Sequence, residues 1–515
     1  MLARSHGKTF MQLSAAATKT VGIENIAFIA IVIATCSKLL LAALLPLSGD
    51  EALYWTYSQN LSFGFIDHPF LNPLMISLGT SIFGDTGFGI RVMSIAASLV
   101  ATFPVWRAGT ILSGDPRCGA LAALFFHMTF AVLIGGMVAT SDILVITTSA
   151  YLLFFVAKLN ETREQSWWLA IGTAIGVGMC AKYTTVFLVL GLFIWFFDER
   201  QKRRLLKSPW PFAGAIVSLL LFTPTLYWNF ENSWASFVYQ TSRLDGDAFT
   251  FRFVIEYLLG QVLLITPGIF YLCWRGLTKF HANLEAQKLL IALMAPALFY
   301  FLWHSLYERV QGNWLMILIP PVAVAAAIGT PKLGENISPK HIVSLVSIPI
   351  FSFGVFMLIG LHASIGLYQT GKDDPIAKEL AYGMPDIAKR LNEISTEYDA
   401  SLILTSDYTT HGWLYFYSDY KSKIHQLNER IRWVDAPQPT QKNLAHGRYI
   451  YVCRERKCYA EDFKKKYDRV ELLMIVPRHR RNRDINMFRF FLLEGPKANV
   501  LDPVMPPMNV GGRCD

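Results

Sequence analysis

Charge is scarce in this chain of 515 residues: Asp, Glu, Lys and Arg make up 17% of it, against 53% hydrophobic residues and a mean hydropathy of +0.34. A water-soluble protein of this length carries a charged share nearer a quarter, so the scarcity excludes that class and points to a polytopic membrane protein. The net charge of +9 does not signal nucleic acid, because Lys and Arg sit largely in short loops between apolar runs, as orientation signals do. Cysteine is sparse as well. Cys36, Cys118, Cys180 and Cys273 lie in or beside apolar runs and read as packing residues. Cys453 and Cys458 bracket RERK, too few ligands for zinc but placed for a hairpin disulfide in an oxidising compartment or for two free thiols. Internal repeats and low-complexity tracts are missing, and no cleavable pattern precedes the first apolar run.

Apolar runs long enough to span a bilayer fall at 24–46, 88–111, 119–139, 142–158, 167–181, 183–197, 211–229, 252–274, 288–306, 314–329 and 341–369, about eleven in all. The pair 167–181 and 183–197 is short and reads as a hairpin or as one broken span. Residues 1–23 are then expected to be a cytoplasmic tail. Alternate connections are basic, DERQKRRLLK at 198–207 most of all, which places the loop after the first span and the chain from 370 on the same outer face. Residues 370–515 read as a separate extracytoplasmic α/β or α+β domain. PDIAKRLNEISTEYDA is its amphipathic helix, and SLILTSDY, RYIYVCR, VELLMIVP and MFRFFLLEG are its strands. This tail contains no Gly-rich phosphate loop, HExxH or Ser-His-Asp signature.

What is present gathers in the first outer loop, 47–87, and above all in LSGDEALYWTYSQNLSFGFIDHP at 47–69. It sets Asp50, Glu51, Asp67 and His68 against the membrane. Other outer connections add Asp142, Lys182-Tyr183, Arg243, and Arg309 with Asn313-Trp314 from YERVQGNW. Ionisable groups at membrane depth are costly and tend to mark substrate sites. Carboxylates can serve as general bases or hold a cation, and Lys, Arg and His can neutralise a phosphate. The aromatics Tyr54, Trp55, Tyr57, Phe63, Phe65 and Trp314 suit either an interfacial belt or the lining of a path for lipid or sugar. The residues alone reach a membrane enzyme or transporter with an acidic outward-facing site.

GDEALYW after the first span, DHP at the end of the loop, ATSDILV, GVGMCAKYTTVFL, YWNFENSWASF and VQGNW recur in order at matching places. Over 24–330 the chain in this way resembles the bacterial GT-C glycosyltransferases related to protein O-mannosyltransferases and aminoarabinose (lipid A) transferase. The resemblance implies a polyprenyl-phosphate-sugar donor, a lipid or glycolipid acceptor, inversion at the anomeric carbon, and an active site on the periplasmic side of the bacterial inner membrane. It implies Asp50 as catalytic base with Glu51 its neighbour, and Asp142 as the acidic residue of the second outer loop. Asp67-His68 takes the place of an acidic-basic pair, Glu-Lys in the aminoarabinose enzymes; His for Lys weakens any permanent positive charge there.

The donor-phosphate contacts expected on this reading are His68, Lys182, Arg243 and Arg309. Tyr54, Trp55, Asp67, Tyr183, Asn313 and Trp314 are expected to line the substrate cavity. No cofactor is required, with Asp67 the candidate ligand for a divalent cation. Lipid A or lipopolysaccharide core is the first-choice acceptor and galacturonic acid or a related sugar the cargo, with a protein O-glycosyltransferase as the alternative. From other classes, a secondary transporter would show repeated halves, and a non-catalytic assembly protein would have no need of Asp50.

Overall fold

The computed structural model describes residues 22–198, 203, 206–242, 249–279, 284–331, 339–368, 370–458, 460–497 and 499–504. The expected cytoplasmic tail and Arg243 lie almost wholly, and wholly, outside the described residues. The chain is a helical membrane protein. Among the described residues, Ile23–Leu44, Gly87–Ser113, Ser141–Thr162, Trp210–Glu231, Leu284–His304 and Leu345–Ile365 are each long and apolar enough to cross a bilayer.

Three of the continuous spans read from the sequence are interrupted. Arg252–Ile265 and Pro267–Thr278 meet at 96°, because Pro267 disfavours helical backbone at Thr266, which sits at φ 73°. Helix Pro116–Met128 stops at Thr129, whose hydroxyl caps the single turn Phe130–Leu133. The run at 314–329 opens as a 3₁₀ turn, Gly312–Leu318, and becomes α-helical only at Ile319. Pro320 and Pro321 suit a helix start but lack the N–H groups that would carry the helix back through them. Segment 167–197 is broken: Trp167–Ala181 and Val186–Asp198 part at Lys182, whose backbone is extended.

Helix Ile319–Ile328 is buried on every side, and so is Pro116–Met128 from Cys118 onward. An all-round apolar helix belongs at the centre of a bundle, and these two form it. At the edge, Trp167–Ala181 and Trp210–Glu231 cross so closely that a Cβ on Gly172 would meet the Gly214 carbonyl oxygen at 2.0 Å. Small residues allow that approach where lipid supplies no hydrophobic drive between helices.

The chain from Pro375 folds around a five-stranded sheet of order β2-β1-β3-β5-β4, with β1 Leu402–Thr405, β2 Ile424–Gln426, β3 Arg448–Arg454, β4 Tyr467–Arg480 and β5 Arg483–Pro496. β1 runs parallel to β2 and β3, and β5 antiparallel to β3 and β4. Side-chain alternation splits the strands cleanly. Ile403, Ile450, Val452, Phe488 and Phe490 pack on helix Met384–Glu397 through Ile387, Leu391 and Ile394. Leu402, Tyr449, Tyr451, Phe491 and Leu493 face Phe463 and Tyr467 on the other side. Cys453 and Cys458 are joined by a disulfide.

This unit sits on the first loop. Helix Tyr408–Tyr417 crosses helix Gly49–Ser58 where Gly412 meets Ala52; a Cβ on Gly412 would lie 3.0 Å from the Ala52 backbone. Ala381 N–H donates to Leu47 O at 2.9 Å, and the Trp228 indole donates to Asp435 at 2.9 Å.

Candidate active site

The first-loop helix starts at Gly49 because Ser48 and Glu51 form a capping box: Ser48 Oγ accepts from Glu51 N–H at 3.2 Å and Glu51 Oε2 accepts from Ser48 N–H at 2.9 Å. Glu51 is fully buried and takes two bonds from Arg91, at 2.6 and 2.7 Å, and one from Ala139 N–H at 3.2 Å. Arg91 spends its remaining N–H groups on the carbonyls of Ala42, Leu45 and Pro46. Burial alone would raise the Glu51 carboxyl, but the Arg91 guanidinium overrides it and holds the group below its usual range. Glu51, expected in the catalytic set, thus anchors the helix to the spans and does not line the cavity.

Helical spacing of 100° per residue puts Asp50, Leu53 and Tyr54 on one face. That face opens into a cavity of about 370 Å³. Asp67 and His68 from the end of the loop share it, as do Lys182 and Tyr183 from the break after Ala181 and Asn313 and Trp314 from the 3₁₀ turn. Eight residues expected at the site therefore converge from four separate stretches of sequence.

Asp50 reaches open space at the mouth of the cavity yet is enclosed by protein on its other sides. Its carboxyl is pushed up to about 6, first by this loss of solvation and then by the negative charges of Asp67 and Glu379, while the Tyr408 hydroxyl, donating at 3.4 Å, pulls it back. A carboxylate poised there can take a proton near neutral pH. Lys182 is buried and donates to Asp142 at 2.6 Å; Asp142 also accepts from Asn313 Nδ2 at 2.9 Å. Asp142 therefore stands behind the cavity wall and holds Lys182 in it.

Asp67 accepts from the Tyr57 hydroxyl at 2.6 Å and forms a buried ion pair with Arg432. Burial would raise this carboxyl, and Arg432 with Tyr57 keeps it lowered. Both bonds fall on its Oδ2. Among the described residues no group of three or more His, Cys, Asp or Glu side chains converges on a point.

Two further expected residues lie elsewhere. Trp55 is buried beside the cavity, its indole donating to Asp85 at 2.7 Å. Arg309 is at the surface, bonded to Glu256 at 2.9 Å. The residues that sequence reasoning missed come mainly from far along the chain: Tyr408 and Arg432 from the sheet unit, and Tyr239 and His304 from the bundle. Nothing local to Tyr408 or Arg432 distinguishes them; only the docking of the sheet unit brings them to the first loop.

Residues 67–228 match the family model described as dolichyl-phosphate-mannose-protein mannosyltransferase. The chain is 20% identical over 270 residues to the lipid A galacturonosyltransferase RgtD of Rhizobium johnstonii, covering 52% of this chain and 56% of that protein. It is 28% identical over 142 residues to undecaprenyl phosphate-alpha-4-amino-4-deoxy-L-arabinose arabinosyl transferase 2 of Pseudomonas fluorescens, covering 26% of this chain and 23% of that one. The chain thus spans about half the length of the first of these relatives and about a quarter of the second. The crystal structure of ArnT from Cupriavidus metallidurans superposes with a TM-score of 0.64 in the apo state and 0.62 when bound to undecaprenyl phosphate, each at 13% identity over 92% of this chain and 99% of that one. The chain thus has the fold of the ArnT structures, and its sequence is similar to a protein mannosyltransferase family model and to lipid A and aminoarabinose sugar transferases.

Proposed function

We propose that the protein is an inverting glycosyltransferase that moves a sugar from a polyprenyl-phosphate donor to a hydroxyl of an envelope glycolipid, lipid A or lipopolysaccharide core foremost. The carrying observation is the cavity that sets the raised carboxylate of Asp50 among Lys182, His68 and Asn313. The names of the relatives support the reading, one a lipid A galacturonosyltransferase and the other an aminoarabinose transferase.

A sugar phosphodiester carries its own leaving group, so catalysis needs two things: removal of the acceptor proton and stabilisation of the departing lipid phosphate. Asp50 is the base. Lys182, fixed by Asp142, and His68 receive the phosphate as its charge grows. Tyr54, Tyr183 and Trp314 line the path. Asp67, tied to Arg432, keeps the sheet unit over the cavity.

The reading carries a topology: a cytoplasmic tail 1–23, a membrane domain 24–369 of about eleven crossings, and a periplasmic domain 370–515, in the bacterial inner membrane. Single-cysteine labelling at positions 55 and 450 tests it, since both should react from the outer face. Transfer is tested with purified protein in nanodiscs, given polyprenyl-phosphate-linked galacturonic acid or 4-amino-4-deoxyarabinose, with lipid A and a hydroxyl-bearing peptide as competing acceptors. Sugar on lipid A is expected. Sugar on the peptide alone would move the protein to the protein O-glycosyltransferases, and no transfer from any polyprenyl donor would end the proposal.

A further inference from the structure

A second cavity, of about 220 Å³, lies on the other side of the first-loop helix. Thr56 and Asn60 form one wall, and the sheet unit forms the rest. Asp50 and Thr56 are six positions apart, which turns them by roughly 240° around the helix axis, so one helix separates the two cavities.

No carboxylate lines this cavity. Three polar side chains more than nine-tenths buried do: Arg430, His411 and His425, exposed by 5%, 4% and 9%. Arg430 donates to the Gln438 side chain. The charge of Asp502 acts on it, but no carboxylate comes within ion-pair distance among the described residues. Among the described residues, His411 Nδ1 and His425 Nε2 are buried without a hydrogen-bond partner. Lys421 adds an ammonium at the rim, 5.0 Å above the Trp55 ring. Burying a cation without its counter-ion and leaving imidazole nitrogens dry both cost free energy, and an anion would relieve both. Trp433 and Tyr415 supply a flat apolar wall beside these donors. That pairing of ring face and charged hydrogen bonds recognises a sugar carrying an anionic group.

We propose that this cavity is a subsite for a phosphorylated sugar, contributed by the acceptor glycan at a point remote from the hydroxyl being glycosylated; the acceptor assignment rests on the transferase reading above. Arg430 binds the phosphate, His411 and His425 complete its hydrogen bonds, and Trp433 receives the ring.

The test is equilibrium binding of glucose 1-phosphate to the full-length protein in nanodiscs, with glucose and inorganic phosphate as comparison probes. Glucose 1-phosphate should bind, inorganic phosphate more weakly, and glucose not at all. Arg430→Gln should weaken binding about tenfold or more, and Arg430→Lys, which keeps the charge but not the fork, by less. Unchanged affinity in Arg430→Gln would overturn the proposal, and so would affinity lost in Lys182→Ala but kept in Arg430→Gln, because the ligand would then sit in the Asp50 cavity. Inorganic phosphate binding as tightly as the sugar phosphate would overturn the sugar component. In the transfer assay, Arg430→Gln should raise the KM for a phosphorylated acceptor about tenfold and spare its dephosphorylated form; equal effects on both would overturn the acceptor assignment. The binding arm involves no transfer, so it stands or falls apart from the catalytic reading.

Discussion

Arg432 and Asp67 are separated by 365 residues in sequence and form a buried ion pair, their side chains 2% and 12% exposed. The pair closes the Asp50 cavity by fastening the sheet unit to the end of the first loop, and Arg432 also lies over the Tyr408 ring, 5.0 Å from its centre. Removing one partner of a buried pair typically costs about 3–5 kcal/mol, since the other charge is left stranded. Arg432→Met should therefore make the sheet unit readily cleaved in limited proteolysis and lower Tm. The double variant Asp67→Asn/Arg432→Met should recover part of the loss. Wild-type protease resistance in Arg432→Met would show that the tie does not hold the unit down.

Asp50→Asn should abolish transfer in purified protein that still binds donor, with a loss of about 10²–10⁴-fold in kcat as expected for a general base. Folding raises the Asp50 pKa, so the ionised group works against the fold above about pH 6. Asn removes that opposition, and Tm should not fall. Glu51→Gln should behave in the opposite way, with a marked drop in Tm, because Arg91 loses its counter-charge. Near-native turnover in Asp50→Asn would take the residue out of the reaction.

The pH profile follows from the same group. Asp50 must be ionised to accept a proton, and its carboxyl sits at about 6, so kcat/KM should fall as pH drops through that value. Glu379 is one of the charges that raise it; Glu379→Gln should move the limb to lower pH without removing it. A profile flat from about pH 5 to 8 in both proteins would assign the proton transfer to another group.

Lys182→Ala should lower kcat as well as donor affinity, because a cation beside the leaving phosphate is stabilised more in the transition state than in the ground state. It also strands Asp142. The companion variant Lys182→Met/Asp142→Asn separates the two effects: it should regain thermal stability and leave kcat low. Full recovery of kcat in the double variant would reduce Lys182 to a structural partner of Asp142.

His411 and His425 make the sheet unit acid-labile. Burial holds them down at about 3 and about 4. The unfolded chain takes up these protons below about pH 6.5, while the folded chain refuses them until much lower pH, so stability is lost as pH falls across that window. Replacing both with Gln should flatten the decline of Tm between about pH 6.5 and 4. An unchanged slope would place the lability elsewhere.

The sequence carried the local parts of this molecule. Strand alternation in RYIYVCR and MFRFFLLEG and the amphipathic period of PDIAKRLNEISTEYDA are each fixed by nearest neighbours, and β3, β5 and helix Met384–Glu397 form where those patterns lie. Strand β2 is only Ile424–Gln426, too short to show a period. The outward carboxylates were visible because Asp50 and Asp67 border apolar runs. Their assignments were not, because partners decide them: Glu51 and Asp50 are chain neighbours, yet Arg91 claims the first and the cavity receives the second. Tyr408 and Arg432 were invisible for the same reason, since they reach the site only through an interface formed after both units fold. The spans at 119–139 and 314–329 were drawn as continuous on hydropathy, which does not register that Thr129 caps a turn and Pro320-Pro321 begins a helix.

The 3₁₀ turn Arg430–Trp433 carries Arg430, which lines the second cavity, and Arg432, which is paired with Asp67 beside the first. At three residues per turn, side chains two positions apart project in different directions, so Arg430 faces the second cavity while Arg432 reaches Asp67 from the same short segment. A change in the backbone of this segment would therefore disturb the second cavity and the tie to Asp67 together.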